Sequence, residues 1–481
     1  MSKASVSTKH WIHCAVMLLI TFGIGALPPF GGQITPLGMK VIGVFLGVLY
    51  GWTFLGFFWT SCFGILAIGL TGYKNMTGAL QEGFGSMVAL QVLVLFIFVE
   101  YLISSGFVEL VTGWFMTRKV SKGRPFLLIF LILFGCGVVN MLGLGFGGVF
   151  FVWAIMYQMF DLLGYKKGDM LVTYMIYGAA ITCALANAVF PFVTLPIMFK
   201  GWLTPLGVEF NDISWLVWEF LFFLLYMIVF ILVGKYVLRL DVQPFIDKAD
   251  EVAHVYTGKK ATKQQKIAGI LVILFLIVTL LPSFLPNEMA LKTYLLQYSL
   301  IGGIMLIVTI TSIIQIDGEP LTDWNKNAKR GINWDLVMMF VATTPIANAL
   351  ECEEAGILPT IFAIIMPTIE NMSPLLFSAC VLLLFLVLTQ FAHNAVLIIA
   401  LSPTLLSIAA TIGANAGLLA AAICIVAQTA FLTPGASSPA AAVHGNTDWV
   451  DTGQAYILGV IAIIISAVCV AALYPLGLMI F

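Results

Sequence analysis

The chain has 481 residues, of which 61% are apolar and only 9% charged, with a formal net charge of −1 and a mean hydropathy of +1.06. A soluble protein needs roughly a quarter of its residues charged to cover its surface, so lipid must solvate most of this one. A balance so close to neutral also argues against a nucleic-acid partner.

A membrane-crossing helix takes about 20 apolar residues. Such runs fall at about 11–30, 38–55, 57–73, 86–106, 170–200, 213–234, 267–284, 293–315, 334–350, 415–443 and 454–480. They predict an all-α polytopic membrane protein with about eleven transmembrane helices. The first run follows Lys3 and Lys9 but lacks a convincing small-residue cleavage site, so 1–36 reads as an N-terminal helix rather than a secretion signal. Two further apolar segments, 124–161 and 373–411, are too long for one crossing and are interrupted near the middle. Irregular backbone at membrane depth survives only where protein or a cavity satisfies it, which points to two re-entrant hairpins. The hydrophilic stretch 239–266 is too short for a domain and reads as a cytoplasmic linker.

Charge sets the orientation. With a cytoplasmic N-terminus, only Lys40, Lys74, Lys200 and Lys292 among the 22 Lys and Arg fall outside, as the positive-inside rule requires. The C-terminus is then extracytoplasmic. The acidic segment 351–371 also lies outside. The eight cysteines show no paired or metal-type spacing and read as free thiols.

Residues 37–238 and 267–481 share one order of parts. Each has two helices and a third ending at a small-residue turn (Glu100–Gly106, Ala349–Gly356), followed by a short amphipathic segment (107–118, 357–370). Each then has a hairpin with one asparagine near its bend (Asn140, Asn394), a helix broken at proline (Pro191, Pro434) and a final span. An odd number of crossings per half turns the second copy upside down. Inverted repeats with broken helices mark secondary transporters, with the site at the midplane where the breaks meet.

Four places put polar groups or free backbone at that depth. Asn140 precedes a glycine-rich run (Gly143, Gly145, Gly147, Gly148), where backbone can approach a ligand closely. Thr389-Gln390-Phe391-Ala392-His393-Asn394-Ala395 is costly in lipid unless it lines a cavity. The run from Pro434 to Pro439 cannot continue a helix, which frees carbonyls for a cation and N–H groups for an anion. Ala186-Asn187-Ala188-Val189-Phe190-Pro191 is its counterpart in the first half. Few acids or bases lie deep in any span, so bound sodium would supply the charge an anion needs.

Absent motifs narrow the choice. There is no Gly-x4-Gly-Lys-Ser/Thr loop to bind ATP, no arginine-rich voltage sensor, and no hydrolase motif. The chain therefore reads as a carrier and not as an enzyme. Proton coupling or exchange through His393 is the alternative. An intramembrane enzyme acting on a lipid is more remote, because it needs a catalytic cluster that the sequence does not show.

These residues resemble the divalent anion/sodium symporter family of the ion transporter superfamily. The similarity is carried by Thr389–Ala395 with Pro403 nine residues after Asn394, by Pro434-Gly435-Ala436-Ser437-Ser438-Pro439 running to Gly445, and by Trp334-Asp335 opening a span. It implies a homodimer in the cytoplasmic membrane, with a scaffold and a mobile domain that moves as an elevator carrying Na⁺ with a di- or tricarboxylate. By position, it places Asn140, Met141, Val189, His393, Asn394, Ala395, Ser437 and Ser438 around the substrate. Sodium would fall to Val139, Asn140, Ala188, Thr389, Asn394 and Ala436. The family's Ser-Asn-Thr tips have become Val139-Asn140-Met141 and His393-Asn394-Ala395. Both asparagines remain but the flanking hydroxyls are gone, which favours a bulkier or less charged organic anion. The first break also lacks the family's Gly-Thr-Pro-Pro pattern.

Overall fold

A computed structural model describes every residue except 1–7, 31, 108–109, 112–113, 115–122, 143–146, 249–260, 287–288, 317–318, 358, 361–362, 364–366 and 368–371. Part of the glycine-rich tip, much of both amphipathic segments and the middle of the linker thus lie outside the described residues. The rest is helical apart from loops and one short antiparallel pair, Gln315–Ile316 with Glu319–Pro320. The main helices of the first half are α1 (Thr8–Leu18), α2 (Pro36–Phe54), α3 (Phe58–Thr71), α4 (Met76–Phe84), α5 (Met87–Ser104), α6 (Pro125–Asn140), α7 (Gly147–Leu163), α8 (Met170–Val189), α9 (Thr194–Leu203) and α10 (Asp212–Leu232). Those of the second half are α11 (Lys263–Phe284), α12 (Ala290–Ile313), α13 (Trp334–Glu351), α14 (Pro374–Leu388), α15 (Asn394–Thr411), α16 (Ala416–Ala427), α17 (Ser438–Gly445) and α18 (Thr452–Ile480).

Among the described residues, six helices are long and apolar enough to cross a membrane, or seven if α4 and α5, bent by 46°, count as one span. Other apolar runs fold as shorter helices. The 14 residues of α3 and the 15 of α14 rise only about 20 Å, less than the hydrocarbon core of about 30 Å. Each interrupted segment resolves into two helices, α6 with α7 and α14 with α15. The all-helical membrane class holds; by length alone, fewer helices qualify than the eleven apolar runs suggest.

Both proline breaks form for local reasons. Pro191 has no N–H and disfavours helical backbone before it; Phe190 is accordingly extended at φ −83°, ψ 132°, and α8 stops at Val189. In the second half α16 stops at Ala427, and α17 restarts behind Ser437, whose side chain accepts from the Ala440 N–H, with Pro439 in the first turn.

The chain packs as two compact units, and each draws on both sequence halves. One comprises residues 1–93, 332–381 and 396–414. At its centre α2 lies against the turn Leu19–Gly23 so closely that a Cβ on Gly43 would sit 2.3 Å from the Thr21 carbonyl oxygen. The other comprises residues 94–331, 382–395 and 415–481. Its axis is α8, buried almost from end to end and packed on α6, α7, α10, α16, α17 and α18. A helix that is apolar all round belongs at the middle of a bundle. α16 is likewise buried along its full length.

Candidate functional site

Every residue expected to touch substrate or sodium lies in the second unit. The Asn394 side chain donates to the Ala427 carbonyl at 3.1 Å and points its second hydrogen at Gln428 Oε1, 3.5 Å away. Its oxygen accepts from the Ala395 N–H at 2.8 Å, and its own N–H donates to the Ala436 carbonyl at 2.8 Å. The tip of the second hairpin is therefore tied to both ends of the second break.

Gln390 ties it further. Its amide donates to the carbonyls of Leu386 (3.1 Å) and Thr429 (3.3 Å), and its oxygen accepts from the N–H groups of Phe431 (3.2 Å) and Leu432 (3.1 Å). The Thr433 hydroxyl donates to the Gln390 carbonyl at 2.7 Å. Nearby, Ser437 donates to the Ala430 carbonyl at 2.8 Å, and His444 Nε2 lies 3.2 Å from the Phe431 carbonyl. Backbone groups freed by a break need such partners in a low-dielectric interior. His393 Nε2 sits 3.5 Å from the Ser438 hydroxyl. Thr389 is fully buried and donates to Phe385 one turn back, at 2.5 Å.

The first tip is built differently. Asn140 is 1% exposed. Its amide donates to the Cys136 carbonyl at 2.8 Å and to Cys183 Sγ on α8 at 3.0 Å, while its oxygen has no hydrogen-bond partner among the described residues. Gly137 permits this approach, because a Cβ there would lie 2.5 Å from the Phe223 ring and 2.9 Å from Thr182. One turn beyond Cys183, the Asn187 side-chain oxygen is also buried without a partner. Val139, Met141, Ala188 and Val189 are all buried. The Ala188 carbonyl, expected to face sodium, accepts from the Trp215 indole at 2.9 Å.

Asn140 and Asn394 share no hydrogen bond. They are related through α8, which holds Asn140 at Cys183 and meets the second break where Tyr177 contacts the Phe431 ring, with centroids 5.4 Å apart. Two buried oxygens with lone pairs and no donors, Asn140 Oδ1 and Asn187 Oδ1, are what a hard cation such as Na⁺ takes as ligands. Sequence reasoning singled out Asn140, marked Asn187 as part of the first break without giving it a ligand role, and passed over Glu219. Glu219 is the one carboxyl of the span Asp212–Val237 past Asp212 at its start, and its position in an apolar run was the available signal.

A cavity of about 480 Å³ lies in the other unit, lined by residues such as Ile42, Phe45, Trp52, Ile346, Leu350 and Thr404. Its lining is mostly apolar, with Thr343, Thr360, Thr404 and Glu351 as its polar members and no Lys or Arg among the described lining residues to replace the hydration of a charged anion.

A family model described as the sodium:sulfate symporter transmembrane region matches residues 9–479. No curated protein matches the chain.

Proposed function

Because the chain belongs to the sodium:sulfate symporter family, which supports sodium-coupled anion transport across a membrane, we propose that it is a symporter whose anion is an organic di- or tricarboxylate. The carrying observation is the pair of unpartnered oxygens of Asn140 and Asn187, buried beside a broken helix in a unit that also holds the second break. Sodium bound there supplies positive charge near the tips, which themselves carry no Lys or Arg. The substrate carboxylates then meet the bound sodium, His393 and the N-terminal turn of α17 at Ser437 and Ser438, beside Asn140 and Asn394, whose amide hydrogens already hold neighbouring groups. Replacement of the family's tip hydroxyls by Val139, Met141, His393 and Ala395 favours a substrate with apolar surface over a compact inorganic dianion. We assign the transport step to an elevator movement of the unit holding both breaks, in a homodimer in the cytoplasmic membrane with its N-terminus inside.

Uptake of labelled succinate, citrate and sulfate into proteoliposomes, with and without an inward sodium gradient, tests this reading. Sodium-dependent uptake of a carboxylate in preference to sulfate is expected. Uptake indifferent to sodium overturns the coupling, and uptake of sulfate alone overturns the substrate.

A further inference from the structure

Glu219 has no role in the site described above. It is 0% exposed, and neither carboxyl oxygen has a hydrogen-bond partner among the described residues. It stands seven residues into α10, about 10 Å along the helix axis from Asp212, within a span apolar enough to cross a membrane. Such a residue marks an ion or proton path by default, because an ionised carboxylate there lacks both water and counter-charge.

The elements packed on α10 are α6, α8, α11, α16, α18 and the turn Val233–Val237. Their described titratable and charged groups are Cys136; Tyr174, Tyr177 and Cys183; Lys263 and Lys266; Cys424; Tyr456, Cys469 and Tyr474; and Lys235 with Tyr236; α10 itself adds Asp212 and Tyr226. Cys424 on α16 interacts electrostatically with Glu219. Tyr226, two turns along the same helix, faces Tyr177, Tyr174 and Cys469. The hydroxyls of Tyr226, Tyr177 and Ser466 are likewise buried without hydrogen-bond partners among the described residues. A seam of uncompensated polar groups thus runs through α8, α10 and α18. A proton is the one cation that needs no coordination shell to reach a lone carboxyl.

We propose that Glu219 is a proton-binding site inside this unit, exchanging H⁺ between carboxylate and carboxylic acid, and that the second hairpin reads its state through α16. The connection is short. Cys424, beside Glu219, lies one turn before Ala427 and Gln428, the residues that face the Asn394 amide. A change of charge at Glu219 acts on α16 and shifts the acceptors that hold the tip. The coupling rests on the carrier reading above, whereas the proton site does not.

The test uses full-length protein purified in detergent, treated with dicyclohexylcarbodiimide over a pH series, with labelled residues identified by mass spectrometry. This reagent attacks protonated carboxyls in apolar surroundings. Glu219 should be labelled, with the extent falling about tenfold per pH unit above its midpoint. In proteoliposomes, proton flux accompanying sodium-driven uptake should be lost in Glu219→Gln and retained in Glu219→Asp. An unlabelled Glu219 beside a labelled, exposed Glu351 overturns the site. Parental proton flux in Glu219→Gln overturns the coupling. If the parent shows no sodium-driven uptake yet Glu219 labels as expected, the carrier reading fails and the proton site stands.

Discussion

At the second tip, Asn394 uses its amide and its oxygen on backbone or side-chain neighbours, and Gln390 beside it holds four backbone groups in place. At the first tip, Asn140 spends its amide on Cys136 and Cys183 and leaves its oxygen unpaired. The second half has the longer break, between Ala427 and Ser438, and so more orphaned backbone to satisfy. The first half breaks only over Phe190–Val193, and one indole covers its Ala188 carbonyl. Polar side chains in the second half therefore hold the backbone open, whereas in the first half two side-chain oxygens have no hydrogen-bond partner among the described residues.

Removing the hub of the second tip should have the largest effect. Gln390→Leu leaves buried N–H and C=O groups without partners, at about 1–3 kcal/mol each. A fall in stability of at least about 3 kcal/mol is expected, read as a lower melting temperature in detergent together with lost uptake. A melting temperature equal to the parent's would break the contrast between the tips.

Asn140→Ala should separate function from stability. We expect sodium half-saturation to rise about tenfold or more, equivalent to about 1.4 kcal/mol, with a smaller change in melting temperature than Gln390→Leu causes. Asn187→Ala should act in the same direction. If both variants keep parental sodium dependence, the unpaired oxygens are not the cation ligands.

Trp215→Phe keeps the ring but withdraws the donor from the Ala188 carbonyl. A loss of about 1–2 kcal/mol is expected, and a weaker sodium requirement alongside it would show that the freed carbonyl joins the cation site. Ser437→Ala removes the cap of α17 and the bond to Ala430. It should cost about 1 kcal/mol, the smallest effect of the series. A larger fall in substrate affinity than in stability would place Ser437 against the anion.

Composition and chain punctuation were sufficient for much of this. An apolar majority with few charges admits only a lipid-solvated helical protein; Pro191, which carries no N–H, ends α8, and Pro439 opens α17 in its first turn. The polar run Thr389–Asn394 marked the second tip in advance, since such residues are tolerated at depth only with partners. What those partners are depended on residues distant in sequence. Gln390 works on backbone about 40 positions away, and Asn140 meets a thiol 43 positions away. Assignment of neighbours also cut across the two halves, because helices pack by shape and contact rather than by chain order. Glu219 was visible as a charge in an apolar run, but only packing decides whether such a side chain snorkels to water or is sealed in. The residue types determined which segments could not be ordinary helix; the tertiary structure decided which polar atoms were consumed in stabilising those segments and which were left over to bind.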